Sequence, residues 1–227
     1  MSIEMKYLYL KSHPLFADLP EEKLAEIAGQ ARVKTARRGE HLDYGDGAFT
    51  RIYLLINGKI KLTDIDEGDN EIVKDILTAP DIFGDLSLGQ VHSTDDEYAQ
   101  VLTGNTIVCY FLAGDFRRLL EANPAIAINY ANRVNAKLRK LEIRHSDLVF
   151  RDAKSRLIRF IKSWAKADGS TIGDKIVLNN YLTHSDIASV IATSRQSVNM
   201  LLNELRDAGL LLYNRKHIEL HNPLSWN

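Results

Sequence analysis

The sequence predicts an α+β chain in three parts: a first half of short antiparallel strands, one long helix, and a C-terminal pair of helices followed by a hairpin. Short apolar runs separated by Gly, Asn and Asp turns fill the region from Ile52 to Leu112. An unbroken 4-3-4-3-4-3 apolar spacing then runs from Ala127 to Leu148. Further on, two capped amphipathic helical patterns meet at Ala192-Thr193-Ser194.

In the first part, Ile52 to Ile56 is an apolar strand, Asn57-Gly58 a hairpin signal, and Lys59-Ile60-Lys61-Leu62 an alternating return strand. Glu67-Gly68-Asp69-Asn70 marks a turn before the strand Ile72 to Leu77. Tyr98 to Thr103 and Thr106 to Leu112 add two strands around Gly104-Asn105. Such short, regularly punctuated strands predict an antiparallel roll or barrel, flanked by helices at Pro20 to Gln30 and Asp115 to Ala122. The expected division is a roll over 1–122, a long helix over 123–149 and a C-terminal domain over 150–227.

The long helix starts after Asn123-Pro124. Ala127, Ala131, Val134, Leu138, Leu141, His145 and Leu148 form a coiled-coil seam three heptads long, bordered by Arg133, Lys137, Arg139, Lys140, Glu142 and Arg144. A seam this narrow predicts pairing with a second copy of itself, in preference to packing on the chain's own roll.

In the C-terminal part Thr183 can cap a helix, with Asp186 three residues on in a capping-box place. Ile187, Val190 and Ile191 share one face. After the turn, Ser194 can cap a second helix whose buried stripe is Val198, Leu201, Leu202 and Leu205. That leaves Arg195, Gln196, Asn199 and Met200 facing outward, where a recognition helix presents side chains to base edges. Gly209 stops the helix, and Leu210 to Tyr213 and His217 to Leu220 read as strands around Asn214-Arg215-Lys216. A helix-turn-helix with a basic-tipped hairpin is a winged helix. Thr183, Ser194, Ser197, Arg215 and Lys216 are its candidate phosphate contacts.

Charge agrees. From residue 150 onward there are 11 Lys and Arg against 7 Asp and Glu, whereas the preceding part has 18 against 23. A basic segment on an acidic body points to a polyanion as that segment's partner. The single cysteine, Cys109, sits in an apolar run, so four-thiolate iron-sulfur ligation within one chain is excluded. No set of metal ligands stands out, and neither does a nucleophile–base pair, so no enzyme is expected. No apolar run approaches the ~18 residues of a membrane span, and Met1 to Lys6 lacks the pattern of a signal peptide. The expected location is the cytoplasm.

His184 to Leu211 is similar to the C-terminal DNA-binding domain of the cyclic-AMP receptor protein and fumarate-nitrate regulator (Crp/Fnr) superfamily. Arg38-Gly39-Glu40, Gly45-Asp46, Tyr53 to Gly58 and Phe83-Gly84-Asp85-Leu86 resemble the landmarks of that superfamily's cyclic-nucleotide-binding β-roll. The resemblance runs from about Leu15 to about Leu220. It implies a homodimeric transcription regulator that binds double-stranded DNA at an inverted repeat and acts with RNA polymerase. The contrasting reading is a small-molecule-binding or protein-interaction module whose helix-turn-helix is vestigial; Arg195 and the basic wing argue against it.

The effector pocket that the resemblance implies comprises Gly84, Asp85, Leu86, Asp95, Asp96, Leu141 and Glu142. Here the chain departs from the pattern of cyclic-AMP binders. Gly84-Asp85 matches a Gly-Glu pair with a shorter acid, and Asp95-Asp96, followed by Glu97, stands where an Arg-Ser pair would hold the phosphate. Carboxylates repel a phosphodiester and lack the Arg fork. Leu141-Glu142 stands where Thr-Ser would reach the adenine. No cyclic nucleotide is therefore expected. No haem is expected either, since the loop histidine His92 alone is not a ligand set. In members with Arg-Glu at the start of the recognition helix, guanine and cytosine edges are read; here Gln196 replaces that Glu and Met200 a later Arg, so the half-site should tolerate or prefer adenine opposite Gln196.

Overall fold

The computed structural model describes residues 2–44, 50–65, 71–88 and 97–221. The chain divides into two compact units, 1–140 and 141–227, and the division falls inside a long helix.

In the first unit, α1 (Ile3–Ser12) and α2 (Glu21–Gln30) precede the strands β1 (Arg32–Ala36), β2 (His41–Asp43), β3 (Arg51–Asn57), β4 (Lys59–Ile65), β5 (Glu71–Thr78), β6 (Asp81–Gly84), β7 (Tyr98–Val101) and β8 (Thr106–Leu112). α3 (Ala113–Ala122) and the 27-residue α4 (Pro124–Phe150) follow. The strands make two four-stranded antiparallel sheets, ordered β1-β8-β3-β6 and β2-β7-β4-β5. This is the predicted roll.

β3 shows why its sequence reads as a continuous apolar run. Successive side chains point to opposite faces, and both faces of this strand are covered. Ile52 and Leu54 join Cys109, Phe111, Phe116 and residues of α1 to α4 in one core. Tyr53 and Leu55 join Leu42, Ile60, Leu77, Phe83 and Val101 in a second core. Tyr53 and Phe83 stack in that second core at 4.8 Å between ring centroids.

The expected hairpin at Asn57-Gly58 is not one. β3 and β4 lie in different sheets and do not pair, so the chain turns a corner between sheets there. Gly58, at φ 96°, brings its backbone so close to Thr106 that a Cβ would lie 2.2 Å from Oγ1. Only glycine accepts both conditions. β7 and β8 cross between the same two sheets, around Asn105 at φ 54°. The two corners are strapped together: Asn57 Nδ2 donates to Asn105 O at 3.0 Å, and the Lys59 N–H to Thr103 Oγ1 at 2.9 Å. β1, β2, β6 and α1 are not marked by the patterning of the sequence.

The second unit contains the end of α4, then α5 (Ala153–Asp168), β9 (Ser170–Ile172), β10 (Lys175–Asn179), α6 (His184–Val190), α7 (Arg195–Asp207), β11 (Leu211–Tyr213) and β12 (His217–His221). Its sheet runs β11-β12-β10-β9, so the expected two-stranded wing is half of a four-stranded sheet. Leu157, Ile161, Leu178, Ile187, Val198, Leu202, Leu205, Leu211 and Leu220 are among its buried apolar residues. No helix among the described residues is long and apolar enough to cross a membrane.

Candidate nucleic-acid interface

The two helices of the C-terminal unit begin as their sequences dictate. Thr183 caps α6 in a full capping box: its hydroxyl accepts from the Asp186 N–H at 3.1 Å, while Asp186 Oδ2 accepts from the Thr183 N–H at 2.8 Å and from its hydroxyl at 2.7 Å. The Thr183 hydroxyl proton is thus committed within the protein, which removes the donor expected to reach a phosphate. α6 ends in a Schellman closure, with Thr193 N–H donating to Ala188 O at 2.9 Å and Ala192 N–H to Ser189 O at 3.2 Å. Ala192 takes the left-handed place at φ 51°, which costs a residue with a Cβ roughly 1–2 kcal/mol. Ser194 then caps α7, accepting from the Ser197 N–H at 3.0 Å, and the two hydroxyls lie 2.9 Å apart.

On α7, Val198, Leu201, Leu202 and Leu205 are buried, as the periodicity predicts. Arg195, Gln196, Asn199 and Met200 share one exposed face, Met200 being 62% exposed. A second Schellman closure around Gly209 (φ 72°) ends the helix, with Leu210 N–H donating to Leu205 O at 3.0 Å.

The wing tip is held by an Asx turn. Asn214 Oδ1 accepts from the N–H groups of Lys216 (2.7 Å) and His217 (2.9 Å), leaving Arg215 and Lys216 exposed. The tip is also tied to the segment before α6, since the Asn180 N–H donates to Lys216 O at 2.7 Å and its Nδ2 to Asn214 O at 3.0 Å. Wing and helix pair are therefore one presented surface.

Three residues at this surface are only weakly marked in the sequence. Asn203 lies one turn below Asn199, and Tyr213 OH donates to its Oδ1 at 3.1 Å. The Tyr213 ring lies 5.7 Å from that of His184. Burial, with the Arg195 charge adding to it, holds His184 below the usual histidine range. Their signal was present but weak: single polar residues on a face already counted as read.

The expected effector residues divide between the units. Gly84 has φ 95°, and a Cβ there would lie 2.3 Å from Arg51 O. Asp85 is 4% exposed and points into its own turn. Its carboxylate accepts from Thr50 Oγ1 at 2.7 Å, from the Ser87 N–H at 3.0 Å and from the Ser87 hydroxyl. The shorter acid thus serves its own loop, in contrast to the open pocket role expected of it. Leu86 O accepts from Tyr130 OH on α4 at 2.6 Å. Burial, with Asp85 adding to it, pushes that phenol up to about 12. Glu97, counted in the repelling acidic run, pairs with Lys74 at 2.8 Å, and Lys74 also reaches Asp64 at 3.4 Å. Its charge is therefore locally compensated. Asp95, Asp96, His92, Gly45-Asp46 and the turn Glu67 to Asn70 lie outside the described residues. Leu141 and Glu142 belong to the second unit and are exposed.

Of the seam positions, Ala131, Leu138, Leu141, His145 and Leu148 are exposed, Leu138 by 53% and Leu141 by 58%. Ala127 and Val134 instead pack in part on the roll core beside the buried Ile126 and Tyr130. Lys137, expected to flank an open seam, turns to the roll and pairs with Asp81 at 3.1 Å. The first half of α4 is thus wide enough in apolar surface to pack on its own roll along one side.

Capped helices in a tight turn, a basic wing fixed to them, and a β-roll in the same chain define a DNA-binding transcription regulator. The Crp-like helix-turn-helix domain family matches residues 155–224. The global nitrogen regulator of Nostoc sp. is 26% identical over 85% of this chain and 86% of its own. CooA of Carboxydothermus hydrogenoformans, solved as a mutant, superposes with a TM-score of 0.69 at 24% identity, covering 87% of this chain and 86% of that one. The c-di-GMP responsive regulator CLP of Xanthomonas campestris gives 0.73 at 16% identity, covering 89% and 99%. Residues 155–224 are thus a Crp-like helix-turn-helix domain, in a transcription regulator whose homologues are of the Crp/Fnr type.

Proposed function

We propose that this regulator works as a homodimer that reads an inverted-repeat operator and needs no cyclic nucleotide to do so. The observation that carries the reading is the exposed face of α7, where Arg195, Gln196, Asn199 and Met200 stand together on a helix capped by Ser194. These residues contact base edges, while Ser194, Ser197, Arg215 and Lys216 contact phosphates. Dimerisation uses the exposed apolar positions Ala131, Leu138, Leu141 and Leu148, with His145 among them. Burial of such side chains against a second copy is favourable at roughly 25 cal/mol per Å² of apolar area.

Three features support independence from cyclic nucleotides. The Asp85 carboxylate already accepts from Thr50 and Ser87. Leu141 offers no hydroxyl to a purine. Asp95 and Asp96 add repulsion on sequence grounds. No haem or other cofactor and no catalytic activity belong to this reading. The protein acts in the cytoplasm, and its output is contact with RNA polymerase or its exclusion from the promoter. In a gel-shift titration, purified protein binds operator DNA without additives, and millimolar cyclic AMP or cyclic GMP changes the affinity by less than about threefold. Micromolar binding of either nucleotide by calorimetry, with a gain in DNA affinity of about tenfold or more, overturns it.

A further inference from the structure

The end of α4 and the turn of the helix-turn-helix are joined through one side chain, Arg156 on α5. Each of its three guanidinium nitrogens donates to a different backbone carbonyl. Nε donates to Ile191 O at 2.8 Å and Nη2 to Ala192 O at 3.0 Å, the carbonyls at the turn between α6 and α7. Nη1 donates to Arg151 O at 2.6 Å, in the short link that follows α4. That link is itself clamped to α4, because Asp147 Oδ1 accepts from Arg151 Nε at 2.9 Å and from Arg159 Nη1 at 3.1 Å. The Asp147 side chain is only 17% exposed. On the far side, Asp152 caps α5 by accepting from the Ser155 N–H at 2.7 Å.

We infer that Arg156 is the positioning residue that fixes the recognition helix α7 to the end of α4, and so sets the spacing between half-sites that the dimer accepts. The inference rests on the homodimer reading. The chemistry suits this task. A guanidinium is planar and carries donors in fixed directions, so three carbonyls held by it are held in one geometry relative to each other. A lysine at the same place keeps the charge, but its ammonium is a point donor on a flexible stem. All the groups involved lie within the second unit. The orientation of α7 against the last turns of α4 is thus set by a few directional bonds through a six-residue stretch, Arg151 to Arg156.

A dimer gains affinity from two half-sites only when both helices reach them together. A rigid latch makes that gain sensitive to spacing, and a loose one makes it tolerant. The test compares wild type with Arg156→Lys on three operators: the selected one, and versions with one base pair inserted or removed between half-sites. A single half-site serves as the reference for contact quality. For wild type, altered spacing costs at least about tenfold in affinity. For Arg156→Lys that penalty falls below about threefold, while affinity for the single half-site stays within about twofold.

Should Arg156→Lys fail to fold, Arg156→Lys with Ala192→Gly replaces it. Glycine takes the φ of 51° without strain and stabilises the turn without restoring the fork. A folded variant that keeps the wild-type spacing penalty overturns the inference. If wild type gains affinity from a second half-site but is indifferent to spacing, the inference fails and the homodimer reading stands; if it binds the full operator no more tightly than the single half-site, the homodimer reading itself fails.

Discussion

Arg195 is the residue whose removal should tell most about reading. It stands exposed in the first turn of α7, where a fork can meet guanine O6 and N7. Arg195→Ala should cost about 1–3 kcal/mol of binding and relax selectivity at one base pair, measured by titration against operators varied at each position. Gln196→Glu should move the preference opposite it from adenine towards cytosine, since a carboxylate accepts from cytosine N4. In the roll, Gly84 is the corresponding structural test. A Cβ 2.3 Å from Arg51 O at φ 95° has nowhere to go, so Gly84→Ala should destabilise by at least about 2 kcal/mol in urea unfolding. The exposed face of α7 was legible at this scale because capping and period fix which side chains face out. The Asp85 role was not, because a sequence does not say whether a carboxylate turns to a ligand or back to the N–H two residues on.

α1 and α4 are the elements with testable attachments. α1 leads into His13, which is buried and accepts from the Leu15 N–H on Nδ1 at 3.3 Å, while Nε2 lies 3.2 Å from Asp81 O. Burial above all, with the Arg133 charge adding, holds His13 down to about 4 against an ordinary 6.5. The unfolded chain therefore takes up a proton near pH 6.5 that the folded chain refuses until about pH 4. The stabilisation is complete above pH 6.5 and is lost as pH falls through that window, by about 3 kcal/mol in all. His13→Gln should flatten the pH dependence of unfolding free energy between those values; an unchanged slope would show that His13 is not the titrating group. On α4, Leu138→Glu with Leu141→Glu should give a monomer by sedimentation and weaken operator binding about a hundredfold, through loss of paired engagement. Both positions are exposed, so thermal melting should barely change.

Elements were legible where one period ruled. α4 was anticipated as 123–149 and spans Pro124–Phe150, and α7 follows its apolar stripe. Three kinds of feature escaped. β9 is exposed at every position, so no alternation marks it. α1 buries only Leu10 and has no stripe to read. Asn57-Gly58 carries the residues of a tight hairpin, yet it serves a corner between sheets, because the partner of β3 is β8, distant in sequence. Local turn chemistry fixes where a chain reverses; long-range pairing decides which strand it meets.

At the scale of the molecule, charge and architecture agree. Basic residues outnumber acidic ones from residue 150 onward, where the helix pair and wing stand, and acidic residues outnumber basic ones in the part before it, which holds the roll. A homodimer joined along α4 should present two α7 helices to successive major-groove faces, about 34–36 Å apart. Selection of bound sequences from a random DNA pool, with purified protein and no nucleotide added, tests this most directly. The predicted result is an inverted repeat with half-sites about one helical turn apart, bound by two chains, and adenine accepted opposite Gln196. A direct repeat, a single half-site bound by one chain, or no enrichment until a cyclic nucleotide is supplied would contradict it.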